Sequence, residues 1–335
     1  MIVTIVSIIK HGAKNTRYLI RVNDKYASLK IPSNKYYYDG MEVDVPAGIK
    51  IDYDEKWKLK ANSWAYKKRK ILIHLGEYKK KELKVDQNGY WENKDGMKLE
   101  YDYILPDGKE SDNIINSIYK ASVMELFTQK KEDIHTGFKN LNSSQAFAFN
   151  FFTPIINEKI IDELVDCWKN TSVFESDFEK KNPDETQFDF YLSSGEIKCS
   201  FEVKYTEDAF GSASMDEKHN REKHNTKWNT IYEEKLKSIL RENIEKEEFF
   251  DDYQLYRNII FVLDGYHVYF VFPKFRDDLK EIVETARKKC KDNYQDKIKI
   301  LFVDDFVDKM KKSDNKDLRD HYTKFYKKYL DIPKV

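Results

Sequence analysis

Asp189, Glu202 and Lys204 are residues whose types and spacing could do chemistry in this 335-residue chain. They fall in D-E-T-Q-F-D-F-Y-L-S-S-G-E-I-K-C-S-F-E-V-K-Y-T-E, residues 184–207, which reads as a β-hairpin. Phe188, Phe190 and Leu192 alternate with Asp189 and Tyr191, the period of a half-buried strand. Ser193-Ser194-Gly195 supplies a turn. Ile197, Cys199, Phe201 and Val203 then form the apolar face of a second strand, so Ser200, Glu202 and Lys204 share its other face. The neighbouring strand can bring Asp189 within reach of Glu202 and Lys204. Two carboxylates and one ammonium in a small space suit a hard divalent cation and a phosphate.

In a chain with 35% charged residues, an acid-x-Lys triplet by itself carries little information. The weight comes from the arrangement around it: an acid inside one apolar strand, a short turn, and the triplet inside a second apolar strand. The elements that must hold such a hairpin are legible on either side. Upstream, Met1 to Ile9, Arg17 to Val22, Tyr26 to Ile31, Glu42 to Val45, Ile49 to Tyr53 and Arg69 to Leu75 are short β-branched or aromatic segments. Asn23-Asp24, Pro32-Ser33-Asn34, Asp39-Gly40 and Ala47-Gly48 punctuate them as turns, which predicts a small β-barrel or sandwich. Residues 85–112 read as a hairpin or connecting segment.

Helical periodicity takes over from there. Ile115, Ile118, Val123 and Leu126 predict a helix over 114–127, and Asn142 or Ser143 is placed to cap the next. Asn157 could cap a further helix carrying Ile160, Ile161, Leu164, Val165 and Trp168 at helical spacing. Beyond the hairpin, Trp228, Ile231, Tyr232, Leu236, Ile239 and Leu240 mark a long amphipathic helix. Residues 253–263 are too apolar all round to assign by period. His267 to Phe272 and Ile298 to Val303 read as buried strands, separated by a helix from about Arg276 to Cys290, and a charged helix over 315–329 follows. Hairpin strands followed by alternating strands and helices predict an α+β or α/β fold around a mixed central sheet. Two domains result, a β-rich one over 1–105 and a second over 106–335.

Composition narrows the class. The chain is 40% hydrophobic and 15% aromatic, enough to fold around a core. Formal charge is zero, but residues 1–84 hold 19 Lys and Arg against 9 Asp and Glu. In that basic part, Lys56-Trp57-Lys58-Leu59-Lys60 and Trp64-Ala65-Tyr66-Lys67-Lys68-Arg69-Lys70 interleave aromatics with bases. That pattern suits phosphate neutralisation and base stacking, and equally a solvated lysine face over ordinary core aromatics. Cys167, Cys199 and Cys290 are far apart in sequence without zinc-ligand spacing, which suits a reducing compartment. No apolar run reaches the length of a membrane span, so a cytoplasmic protein without a membrane partner is the expectation.

The hairpin with its flanking motifs resembles the PD-(D/E)XK nuclease superfamily. Asp189 matches the first acid and Glu202-Val203-Lys204 the E-x-K. L-N-S-S-Q-A-F-A-F-N-F-F, residues 141–152, resembles the opening helix of a restriction-endonuclease-like branch. K-Y-T-E at 204–207 and Q-L-Y-R at 254–257 are similar to later motifs of that branch. The resemblance implies a PD-(D/E)XK-type α/β core and a Mg²⁺- or Mn²⁺-dependent endonuclease acting on DNA, in restriction or phage defence. Asp189 and Glu202 would be metal ligands, with the Val203 carbonyl as a third, and Lys204 would orient or deprotonate the attacking water. Gln254, Arg257 and Ser144 would meet substrate, together with Lys58, Lys67, Lys68 and Arg69 from the basic part. A homodimer would suit cutting both strands of a palindrome.

One departure stands out. Many members offer the metal a helix Glu, where this chain has Ser144 and Gln145. A Gln can orient a water or metal through its carbonyl but brings no charge. That opens two alternatives: a nucleic-acid-binding protein with a decayed nuclease core, or a repair or toxin nuclease acting on RNA or branched DNA. Glu185 and Glu207 stand near the hairpin as outer acids or surface charges. His219 and His224 lack metal-site spacing and read as a surface loop.

Overall fold

The computed structural model describes residues 2–10, 15–23, 25–32, 42–45, 49–53, 64–92, 96–168, 174–184, 186–195, 197–213 and 221–332. They divide into two compact units, Met1–Ile71 and Leu72–Val335.

The first unit is built on five strands: β1 (Ile2–Lys10), β2 (Asn15–Val22), β3 (Lys25–Pro32), β4 (Glu42–Asp44) and β5 (Ile51–Asp52). Alternation explains them. Tyr18, Ile20 and Val22 on β2 and Ala27, Leu29 and Ile31 on β3 are buried in one cluster, with Val3, Ile5, Val43 and Val45. Arg21 and Lys30 between them are exposed. Every pairing is antiparallel, in the order β4-β1-β2-β3-β5, an open sheet. Among the described residues there is thus no closed barrel.

The sixth expected strand is a helix. Residues 69–75 belong to α1 (Trp64–Lys81), where Tyr66, Ile71 and Leu75 are buried. The run Ile71-Leu72-Ile73 is apolar and short, and such a run cannot distinguish strand from buried helix locally. The four-residue spacing of Ile71, Leu75 and the buried Lys79 decides for helix. Lys79 donates to the carbonyls of Gln87 and Ile104, at 2.9 and 3.2 Å.

In the second unit, β6 (Gly89–Glu92) and β7 (Lys98–Tyr101) form the expected hairpin. Helix α2 (Lys120–Gln129) starts later than its periodicity suggested, leaving Ile118 66% exposed. Helix α3 (Ser144–Asn157) is capped by Ser143, whose hydroxyl accepts from the Ala146 amide at 3.3 Å. From Gln145 to Ile155 every residue of α3 is buried, so α3 is a central helix and not a surface one. The helix expected after Asn157 is absent: residues 161–163 make a single 3₁₀ turn, and Asn157 ends α3. Ile161, Val165 and Trp168 are nonetheless buried. Their spacing reported burial, which an irregular chain can also supply.

The main sheet comprises β8 (Glu175–Lys181), β9 (Gln187–Ser194), β10 (Ile197–Val203), β11 (His267–Phe272) and β12 (Ile298–Phe302), ordered β12-β11-β10-β9-β8. The first three strands are antiparallel and the last three parallel, so the sheet is mixed. Helices α4 (Arg221–Lys227) and α5 (Glu233–Ile239) flank a π-helical turn over Trp228–Tyr232, which together realise the long amphipathic segment. Helix α6 (Lys246–Asp251) precedes α7 (Tyr253–Ile259), and the apolar run ends in a 3₁₀ turn closed by Gly265 at φ +84°. Then come α8 (Asp277–Lys289), α9 (Asp292–Gln295), α10 (Val303–Met310) and α11 (Lys316–Tyr329).

Both faces of this sheet are covered. On one, Phe152 of α3 stacks on Phe190 at 4.2 Å and meets Phe201 edge-on at 5.2 Å. On the other, Val268, Phe270 and Phe272 join a core with Leu255, Ile259, Leu279 and Val283 from α7 and α8. Cys167 and Cys199, distant in sequence, bring their sulfurs within 4.0 Å of one another. Among the described residues no helix is long and apolar enough to cross a membrane.

Candidate active site

Strand register fixes which side chains meet. Phe201 pairs with Phe190 and Leu192 with Cys199, so the odd positions of β10 share a face with the even positions of β9. Asp189, Glu202 and Lys204 therefore emerge together on the opposite face. The β9–β10 ladder ends at the Phe201–Phe190 pair. Beyond it the strands part, and the Asp189 carboxylate bridges the gap by accepting the Val203 N–H at 2.6 Å. Val203 is thus tied to the site through its amide nitrogen. A cleft of about 660 Å³ opens there, lined by Asp189, Glu202 and Lys204 together with Ser144, Gln254 and Arg257.

Helix α7 closes the cleft with two side chains one turn apart. Gln254 Oε1 accepts from Lys204 Nζ at 2.7 Å, while Asn258 Nδ2 donates to Glu202 Oε2 at 2.9 Å. Glu202 Oε1 and Lys204 Nζ form an ion pair at 2.8 Å, both side chains almost wholly buried. Burial alone would strip the Lys204 proton. The carboxylates of Glu202, Glu207 and Asp189 outweigh it and raise the ammonium above its ordinary range. Asp189 moves the same way for the opposite reason: burial, then the charges of Glu202 and Glu179, push its carboxyl well above the usual range.

Gly211 lets Gln254 come this close. It has φ +65°, and a Cβ there would stand 3.0 Å from Gln254 Oε1. Other motifs knit the site to its frame. Asn142 Nδ2 donates to Thr206 Oγ1 at 2.8 Å, joining the segment before α3 to K-Y-T-E. Glu207 turns back to accept the Tyr205 amide at 2.8 Å. Arg257 donates from Nε to Thr186 Oγ1 at 3.3 Å and lays its guanidinium 4.8 Å from the Tyr253 ring centre.

Two residues that sequence reasoning missed belong here. Asn258 carried a faint signal, an amide four residues after Gln254 in an otherwise apolar run. Its Oδ1 is buried without a hydrogen-bond partner. Glu179 on β8 carried none: it is buried although its neighbours in sequence are Phe178 and Lys180. Gln145, a catalytic candidate whose carbonyl could orient a water or a metal, spends that carbonyl on the His135 N–H at 2.9 Å and donates to Glu179 Oε1 at 2.7 Å.

Lys67, Lys68 and Arg69 are on α1, partly buried. Lys58, Glu185 and His219 lie outside the described residues. His224 is on α4 and not in a loop, its ring edge-on to Tyr253 at 5.4 Å. Among the described residues no group of three or more His, Cys, Asp and Glu side chains is placed to hold a metal ion. What the cleft offers is an open set of hard oxygen donors, Asp189, Glu202 and Asn258 Oδ1, beside one ammonium.

A mixed sheet bearing acid, acid and lysine on one face at a strand opening defines a restriction-endonuclease-like architecture, and one comparison agrees. The chain belongs to the family described as Restriction Endonuclease associating with ARP, whose model matches residues 72–330. Membership points to nuclease activity. Neither the curated proteins nor the solved structures give a match.

Proposed function

We propose that this chain is a divalent-metal-dependent endonuclease of the PD-(D/E)XK type that hydrolyses DNA phosphodiester bonds, serving restriction or phage defence. The observation that carries the reading is the meeting of Asp189, Glu202 and Lys204 on one sheet face, with Glu202 clamped between Lys204 and Asn258. The donor set fits Mg²⁺ or Mn²⁺, which take one or two carboxylates and complete their shell with water and substrate oxygens. The partnerless Asn258 Oδ1 and the crowding that raises Asp189 are what a cation bound in this cleft would relieve. Asp189 and Glu202 would hold the ion. Bound there, it supplies an activated water and neutralises phosphate charge.

The chain's own groups supply positioning and charge. Lys204 donates to Glu202 and Gln254, and of its three N–H donors one is left for a phosphate oxygen. Held as a cation, it would stabilise charge developing on the phosphate. Arg257 lines the same cleft and would take an adjacent phosphate. Ser144, at the N-terminus of α3, lines the cleft. The basic N-terminal part would add DNA contacts and account for salt-dependent binding.

The test is incubation of the purified protein with plasmid, phage and single-stranded DNA, and with RNA, in Mg²⁺, Mn²⁺ or EDTA. Cleavage of DNA that EDTA stops, and that Glu202→Ala and Lys204→Ala each abolish, is the expected result. Undiminished cleavage by both variants would remove the site assignment. Cleavage of RNA alone would keep the site and change the substrate.

A further inference from the structure

Glu179 is the feature of this cleft that a structural role accounts for least. Phe178 pairs with Phe190 and Lys180 with Phe188, which sets Glu179 across the ladder from Asp189. Its φ of +52° puts a non-glycine residue in the left-handed region in mid-strand, a strained conformation. The side chain is 3% exposed and lines the cleft. Both carboxylate oxygens are held, Oε1 by Gln145 Nε2 at 2.7 Å and Oε2 by Gln187 Nε2 at 2.8 Å. Gln145 is itself immobilised, accepting from the His135 N–H and donating to the Asp133 carbonyl, both at 2.9 Å. Strain, burial and two amide clamps thus combine to hold a carboxyl group beside Asp189 and Glu202. A purely structural residue there would be better without a carboxyl, since crowding carboxyl groups in a buried site costs either repulsion or a displaced proton equilibrium. The buried, partnerless Asn258 Oδ1 in the same cleft independently asks for a ligand.

We infer that Glu179 is a third acidic group of the metal site, facing a divalent cation held by Asp189 and Glu202 across that cation's bound water. This rests on the function proposed above. Gln145 and Gln187 are its positioning residues, so the amide on α3 serves the site by aiming a carboxylate from β8. Outer carboxylates of this kind tune affinity by accepting hydrogen bonds from metal-bound water.

The experiment is calorimetric titration of the full chain with Mn²⁺, with plasmid cleavage in parallel. Glu179→Gln is nearly isosteric, and a turn of the Gln187 amide would restore its pairing. It should weaken Mn²⁺ binding by about ten- to a hundredfold and slow cleavage to match. Gln145→Ala should weaken Mn²⁺ binding less, with cleavage recovering at high Mn²⁺. If Glu202→Gln loses Mn²⁺ binding while Glu179→Gln stays within about twofold of wild type, Glu179 is structural and the inference falls alone. If Glu202→Gln changes neither readout, the site reading falls as well. Should Glu179→Gln not fold, Glu179→Asp withdraws the charge by one methylene, and unchanged Mn²⁺ affinity in that variant overturns the inference equally.

Discussion

Replacing Asp189 with Asn should stabilise the metal-free protein while destroying its activity. The amide keeps the side chain's size and keeps an oxygen for the Val203 N–H, now accepted at 2.6 Å. What it removes is charge. The Asp189 carboxyl is pushed well above its ordinary 3.8 by burial and by Glu202 and Glu179, with Lys204 and the Val203 N–H pulling back less strongly. Because the folded pKa lies above the unfolded one, wild-type stability is fullest below about pH 4. It is lost as pH rises from there through the raised folded value. The Asn variant escapes that loss, so its advantage should be near zero at about pH 4 and greatest in mildly alkaline buffer. Relief of one strained active-site group is typically about 0.5–2 kcal/mol. At about 2–4 °C per kcal/mol for a domain of this size, the melting temperature should rise by about 1–8 °C. Thermal melts followed by circular dichroism in EDTA, at about pH 4, 6 and 8, measure it. Millimolar Mg²⁺ should then raise the wild type and leave the variant unmoved. A variant that melts below wild type at about pH 8 in EDTA, or that gains equally from Mg²⁺, would refute the charge-crowding argument.

Three further outcomes follow from the same geometry. Lys204→Met should destabilise by about 3–5 kcal/mol in chemical denaturation, since it leaves Glu202 buried without its cation; a loss under about 1 kcal/mol would mean that the ion pair is not buried in solution. Asn258→Leu removes the donor to Glu202 Oε2 and should cost about 1.5–3 kcal/mol, together with a weaker response to Mn²⁺ in cleavage assays. Gly211→Ala should cost about 1 kcal/mol for its φ alone, and it should slow cleavage more than that stability loss explains, because the new Cβ presses on the Gln254 oxygen that holds Lys204. Equal effects of Gly211→Ala on folding and cleavage would assign Gly211 to the loop only.

The hairpin was legible because its signal is local. Period-2 alternation, a Ser-Ser-Gly turn and a two-residue spacing put Glu202 and Lys204 on one face whatever else the chain does, and Gly195 adopts φ +58° at the turn. The five N-terminal strands were legible for the same reason. Residues 69–75 were not, because a short apolar run is compatible with both periods until its partners are known. Residues 160–168 failed in the other direction: the apolar spacing reported burial accurately and helix wrongly. Gln254 was legible as a motif residue, yet its partner Lys204 lies 50 positions away, and nothing local says that an amide will hold an ammonium.

By itself, then, the sequence determined which residues could form the chemistry and on which face of a strand each would stand, because side-chain direction follows from backbone period alone. Tertiary structure decided which side chains meet in the cleft. Glu179 enters because β8 pairs in register with β9 and turns through a left-handed residue opposite Asp189. Gln145 became a clamp on a carboxylate, and Asn258 a partner of Glu202, because α3 and α7 pack where they do. Those contacts depend on distances between segments remote in sequence, and only the packed fold sets them.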